Sequence, residues 1–252
     1  MMINNMIQNS PFRGQAIDQE TGKVIDIVDF VGKFAVEDWG TISIDRLNKN
    51  TRTFTIDEGD LSVVVQECDE DKGGIGSGCW LSSIAMLAWL SNNKGKLQEK
   101  SILEMGCGVG LCSLALSQMV VSSAITASDY KVALAKAFDN NIANNVCHVT
   151  PSFTVLNWND CHKKTFTNNV YDLIIASDCI YKSTATIFKT SVMKLLAPGG
   201  TLIFINPLER SRPGVDAFIY TLAELGTINV QHINVCMNGK HNITLMYVEF
   251  QA

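Results

Sequence analysis

Residues 101–120 read SILEMGCGVGLCSLALSQMV. The first five, Ser101 to Met105, have the apolar, unbroken text of a buried strand, and Leu111 to Val120 has that of a helix. Between them stand Gly106, Gly108 and Gly110. A strand that passes through glycines into a helix is the opening unit of a parallel α/β sheet. Glycine in that turn lets the backbone bend tightly and approach a ligand where a Cβ would intrude. Nineteen residues beyond Gly110, at the end of the next apolar run (Ala124 to Ser128), stands Asp129. An acid there can accept hydrogen bonds from both ribose hydroxyls of a nucleoside.

Downstream the alternation continues. Val132 to Asn144 reads as a helix, Ser152 to Leu156 and Asp172 to Ala176 as strands, and Thr186 to Leu196 as a helix stopped by Pro198-Gly199-Gly200. Thr201 to Ile205 reads as a strand, Val215 to Leu225 as a helix, and Ile228 to Val235 and Ile243 to Phe250 as strands joined through Asn238-Gly239. The fold class is therefore α/β, a doubly wound, Rossmann-like parallel sheet ending in an antiparallel hairpin. Upstream, Cys79 to Leu90 (CWLSSIAMLAWL) is apolar enough for a buried helix. Before it, β-type runs such as VIDIVDF, TRTFTID and LSVVVQE alternate with turn signals. Residues 1–20 read as a flexible tail, 21–70 as a β-rich elaboration and 71–252 as the main domain.

The composition, 46% hydrophobic and 18% charged with mean hydropathy +0.12, excludes a disordered, collagen-like or coiled-coil chain. A net charge of -5 argues against a nucleic-acid surface and suits a basic protein partner. The thiols Cys68, Cys79, Cys107, Cys112, Cys147, Cys161, Cys179 and Cys236 form no Cys-x-x-Cys pair and have no His at zinc-ligand spacing. His148, His162, His232 and His241 are dispersed, so no metal is expected. Scattered thiols, an N-terminus without a leader pattern and the lack of an apolar span of membrane length point to a cytoplasmic protein, and a monomer is expected.

The loop is GxGxG rather than GxGxxG, and Glu104 precedes its first glycine by two residues. A carboxylate there would repel a pyrophosphate, which argues against a nicotinamide dehydrogenase, and would suit a cation such as the sulfonium of S-adenosylmethionine. In these features the chain resembles the seven-strand S-adenosylmethionine-dependent (class I) methyltransferases, and within them the family-16 group of protein-lysine methyltransferases. The resemblance covers about residues 75 to 250. It rests on Trp80 at the start of a helix, EMGCGVG (104–110), SDYKVAL (128–134), LNW (156–158) and DLIIASDCIY (172–181).

The resemblance implies a seven-stranded sheet and cofactor contacts at Trp80, Gly106, Cys107, Gly108, Asp129, Trp158 and Ser177, to which Glu104 and Gly110 of the loop are added. Where the group commonly has Asp against adenine, this chain has Asn157, which can still donate or accept. Methyl transfer needs alignment and water exclusion rather than covalent catalysis. Asp178, at a strand's carboxyl end, is expected to orient the entering amine, with Tyr181 as its aromatic companion. Asp178 has a second reading as the N-cap of the next helix, and Tyr181 a second one as core packing. Asn206-Pro207-Leu208-Glu209 invites comparison with the Asn-Pro-Pro-Tyr motif of amide methyltransferases, but it follows the fifth strand rather than the fourth. Arg210 and Arg212 and the acidic run Glu67, Asp69, Glu70 and Asp71 are candidates for the rim of the site, with solvated loops as the plainer reading. The expected acceptor is a lysine of a protein, without nucleic acid or membrane. The alternatives are a small molecule, a protein histidine or arginine, or a non-catalytic module that keeps the fold.

Overall fold

The computed structural model describes residues 15–26, 30–56, 61–121, 124–161, 163, 170–180, 184–208 and 214–252. Two short strands, β1 (Gln15–Ile17) and β2 (Val24–Asp26), pair as a hairpin. A meander follows: β3 (Gly32–Val36), β4 (Gly40–Asn48), β5 (Thr51–Ile56) and β6 (Leu61–Gln66). Helix α1 (Leu81–Asn92) leads into the alternating part, β7 (Ser101–Met105), α2 (Leu111–Met119), β8 (Ala124–Asp129), α3 (Ala133–Ala143) and β9 (Ser152–Val155). Then come β10 (Tyr171–Ser177), α4 (Ala185–Leu195), β11 (Leu196–Pro207), α5 (Val215–Ala223), β12 (Thr227–Met237) and β13 (His241–Gln251).

One sheet runs β6-β5-β4-β3-β12-β13-β11-β10-β7-β8-β9. Its parallel part steps from β7 outward through β8 to β9, then returns to β10 and β11 on the other side of β7. That reversal leaves a crevice at the carboxyl ends of β7 and β10, where ligands bind in such sheets. Pro198-Gly199-Gly200 does not separate helix from strand as expected. It lies inside β11 as an irregularity, between the pairs Tyr171 with Leu196 and Leu173 with Thr201.

The expected seven strands are present, but the sheet does not stop there. β3 joins the edge of β12 (Val36 with Val235, Phe34 with Met237), so the β-rich elaboration continues the main sheet to eleven strands instead of forming a unit bounded at residue 70. The expected tail also ends sooner: residues 15–26 form the β1–β2 hairpin, and residues 1–14 lie outside the described ones. Buried Asp18 ties this hairpin down. Its carboxylate accepts from the Thr21 amide (2.7 Å) and hydroxyl (2.8 Å), sits 3.2 Å from His241 Nδ1 and accepts from Asn242 N. The Thr21 bonds hold its pKa at about 2.

Burial alternates along the meander. Ile42, Ile44, Phe54, Ile56, Val63 and Val65 turn one face inward, as period-2 text requires. That face covers α1, which also packs against β10, β11 and α2. The outer strand β6 reaches α2 and α3, and its free edge is closed by side chains. Asn141 Oδ1 accepts from Gln66 N (2.8 Å) and its Nδ2 donates to Gln66 O (3.1 Å). One turn later, Asn145 does the same for Val64 N (2.9 Å) and O (2.7 Å). Two carboxamides four residues apart thus stand in for a neighbouring strand. Asn141 also donates to Val109 O (3.1 Å), which joins the meander to the glycine loop. Among the described residues no helix is long and apolar enough to cross a membrane.

Asn141→Leu leaves three backbone groups without this partner, at a cost of about 2–4 kcal/mol. The thermal midpoint should fall by roughly 4–16 °C, with a smaller loss for Asn145→Leu. A midpoint within 1 °C or so of wild type for Asn141→Leu would remove the latch from the account.

Candidate functional site

The glycine loop turns at the end of the central strand β7. The amides of Gly106 and Cys107 both donate to Ser128 O at 2.9 Å, and all three glycines have positive φ (73, 54 and 92°). Each meets a different neighbour. A Cβ at 106 would lie 2.7 Å from Cys179 Sγ and 3.6 Å from the Trp158 ring. At 108 it would lie 2.8 Å from the carbonyl oxygen of Gly76. At 110 it would strike the Phe138 ring at 2.3 Å, so Gly110 serves the packing of α3 against α2.

Two buried carboxyls flank the loop. Glu104 Oε2 accepts from Ser113 N (2.8 Å) and Oγ (2.5 Å) at the start of α2, and burial pushes its pKa up to about 7 against the effect of those bonds. Asp129 accepts from Gly108 N (3.1 Å) and Lys131 N (3.2 Å). Burial raises its pKa too, and the Lys131 and Gly108 amides oppose the rise. Its carbonyl accepts from Leu156 N (2.8 Å), which docks the LNW segment beside it. Trp158 packs edge-on to Phe188 with centroids 5.0 Å apart. Asn157 is exposed, and its Oδ1 accepts from Asn159 N (3.0 Å) and Nδ2 (3.1 Å), which leaves its amide hydrogens as the groups to offer a base.

The segment before α1 is more than a break between domains. Gly76 lies directly on the loop, since a Cβ there would be 3.2 Å from Gly108 Cα and 2.9 Å from Leu134 Cδ1. Trp80 caps this strip by donating from Nε1 to Ile75 O (2.8 Å). Beneath it, fully buried Arg52 pairs with Glu67, donates to Phe30 O (3.3 Å) and to Cys79 O (3.4 Å), and Glu67 accepts from Cys79 N (2.9 Å). Glu67 therefore turns inward, while Asp69 and Asp71 are exposed.

At the end of β10, half-buried Ser177 leads into Asp178, whose φ is +54° and whose amide donates to Ile205 O (2.9 Å). The capping reading of Asp178 is excluded, because α4 begins at Ala185 with Thr184 as its N-cap. Cys179 Sγ donates to Met105 O (3.1 Å), tying the turn to the end of β7. Tyr181, Arg210 and Arg212 lie outside the described residues. Trp80, Gly106, Cys107, Gly108, Asp129, Trp158 and Cys179 thus share one end of β7, β8 and β10. The sequence reading missed Arg52, Gly76, Asn141 and Asn206. The glycines of 73–78 read from the sequence as a glycine-rich break, Asn141 falls in a helix without a role of its own, and Asn206 falls in the motif comparison that fails.

This strand order, with its glycine loop and acid at the switch point, defines the class I, Rossmann-like methyltransferase fold. The solved magnesium protoporphyrin IX methyltransferase of Synechocystis PCC 6803, with bound S-adenosylmethionine, shares the fold at TM-score 0.50 and 18% identity, over 66% of this chain and 77% of that one. Residues 60–224 match the lysine methyltransferase family, and the chain belongs to that family. It is 25% identical over 147 residues to mouse (Mus musculus) protein N-lysine methyltransferase METTL21A, covering 58% of this chain and 65% of that one. It is 27% identical over 185 residues to the diaminohydroxyphosphoribosylamino-pyrimidine deaminase of Schizosaccharomyces pombe, covering 66% of this chain and 45% of that one. The chain thus spans less than two thirds of the length of these curated relatives.

An acid whose pKa is higher folded than unfolded stabilises the fold in its protonated form. The contribution of Glu104 is therefore complete below pH 4.5 and is lost as the pH rises through about 7. The loss reaches at most about 3 kcal/mol. Glu104→Gln keeps an acceptor for Ser113 and has no proton to lose, so urea unfolding from pH 5 to 8 should show wild type weakening relative to the variant. Parallel curves would mean that Glu104 does not titrate in this range.

Proposed function

We propose that this chain transfers a methyl group from S-adenosylmethionine to the side-chain amine of a lysine in another protein. The observation that carries the reading is the junction of Gly106 with the 178–180 turn. A half-buried carboxylate stands there at the carboxyl end of β10, one strand away from a glycine cradle. Family membership and the printed name of the mouse relative support lysine as the acceptor. All eight cysteines are thiols, which supports a reducing, cytoplasmic setting.

The residues fit the donor. Gly106 and Gly108 keep the turn free of Cβ atoms, and Asp129 is a buried acceptor at the height of that turn. Asp129 would take the ribose hydroxyls and Asn157 would donate to the adenine. Trp80, Cys107, Trp158 and Ser177 would wall the site. Buried Glu104 and Asp129 give it a carboxylate lining that favours a cation over a phosphate. When bound, S-adenosylmethionine supplies an electrophilic methyl on its sulfonium sulfur. A lysine amine, with a pKa of about 10.4, must first release a proton to water. Asp178 accepts a hydrogen bond from the neutral amine and so directs its lone pair.

Purified protein incubated with labelled S-adenosylmethionine and a lysate of its own cells should label a lysine of one protein. In Asp178→Ala the label should fall at least about 100-fold, with S-adenosylhomocysteine affinity within about threefold, as expected for a group that orients only the acceptor. Label confined to small molecules would replace the acceptor. Tight cofactor binding with no label at all would leave a non-catalytic module.

A further inference from the structure

Asp178 is not a glycine, yet its backbone is left-handed, a conformation that costs of order 1 kcal/mol and persists where surrounding bonds impose it. The turn is held by the Asp178 amide on Ile205 O, by the Cys179 thiol on Met105 O and by the Thr184 hydroxyl on Cys179 O, and its last residue, Ile180, is held at both backbone groups by one side chain. Asn206, on β11, has no exposed surface. Its Oδ1 accepts from Ile180 N (3.3 Å), and its Nδ2 donates to Ile180 O (3.2 Å) and Pro207 O (3.4 Å). A carboxamide offers a donor and an acceptor in one plane, so it holds both backbone groups of a residue as a paired strand would. Its neighbours along β11, from Leu202 to Ile205, are buried and apolar, and a buried carboxamide among them is costly unless its bonds are made.

We propose that Asn206 is a positioning residue. It locks Ile180 to β11, and through the short turn 178–180 it fixes the direction in which the Asp178 carboxylate meets the acceptor. The inference rests on the proposed role of Asp178. Asn206 touches neither substrate nor cofactor in this scheme. The bonds of Asn206 go to Ile180 and Pro207 and not to the glycine loop, which Asn141 and Ser128 hold by their own bonds and which the turn meets only through Cys179 against Gly106. Its loss should therefore affect the transfer step and spare cofactor binding.

The test uses the full chain, the labelled lysate assay above, and the variants Asn206→Leu, Asn206→Asp and Asp178→Ala. Asn206→Leu should lower kcat by about 10- to 100-fold, the loss expected from a misdirected group. Its KM for S-adenosylmethionine and its S-adenosylhomocysteine affinity should stay within about threefold of wild type, as for a group that acts only on the transfer step, and hydrogen exchange at the Ile180 amide should quicken. In Asn206→Asp a protonated carboxyl reproduces both bonds, whereas the carboxylate loses the donor and faces two carbonyls. The ratio of its kcat to that of wild type should rise as the pH falls. This ratio decides the matter if the leucine variant fails to fold, and a ratio independent of pH would overturn the proposal. Wild-type kcat in a folded Asn206→Leu, beside an inactive Asp178→Ala, would overturn the clamp alone. Wild-type kcat in Asp178→Ala would overturn the underlying reading.

Discussion

A helix with no polar face has to be covered on every side. Ten of the twelve residues of α1 are buried, including Trp89 and two of its three serines, Ser82 and Ser91. A five-strand parallel sheet covers such a helix on one side only. Here the antiparallel meander β3–β6 covers the rest, reached through the pairing of β3 with β12. Much of the architecture follows from that need. The sheet curls until β6 meets the helices of the opposite end, and the asparagine latch closes an edge that would otherwise be left unpaired. The next residues in the chain then arrive over the glycine loop.

The same closure builds one wall of the site. Because β6 ends beside α3, the strip from Glu67 to Trp80 must cross the loop to enter α1, and only glycine at 76 and 108 lets the two backbones touch. Arg52 and Glu67 hold the two ends of this crossing. A buried ion pair of this kind is a weak source of stability by itself, but removing either partner would leave the other charge uncompensated. Its value lies in geometry. It ties β5 to the first residue before Trp80, so the meander and the loop keep one fixed relation.

The parallel half was legible because its signals are local. A strand, a glycine turn and a helix lie within twenty residues of one another at 101–120, and Asp129 follows at the end of the next strand. The meander was legible as strands but not as part of the same sheet, since the pair Val36 with Val235 joins residues far apart in the chain and no local pattern reports it. Asn141 and Asn145 look like a solvated helix face in DNNIANN until β6 is laid beside them. Asn206 was noticed for its neighbour Pro207 and set aside as a failed motif. Its role depends on Ile180, which only the adjacency of β10 and β11 brings near.

Burial also explains how thiols can surround a site proposed to hold an alkylating sulfonium. Cys79, Cys107, Cys112 and Cys179 are all buried, and burial raises the pKa of each well above the ordinary thiol range. The carboxylates add to the effect: Glu67 acts on Cys79, Glu104 on Cys107 and Cys112, and Asp178 on Cys179. The nucleophile of a cysteine is its thiolate, so these four remain inert while protonated. Three of the thiols meet carbonyls, Cys107 at Gly108 O, Cys112 at Ser83 O and Cys179 at Met105 O, where they act as small polar packing groups. The acids that would attract a cationic donor therefore also keep the neighbouring sulfurs from taking its methyl group. In the proposed reaction an amine entering from solvent is under no such restraint, since it can lose its proton before it would meet Asp178.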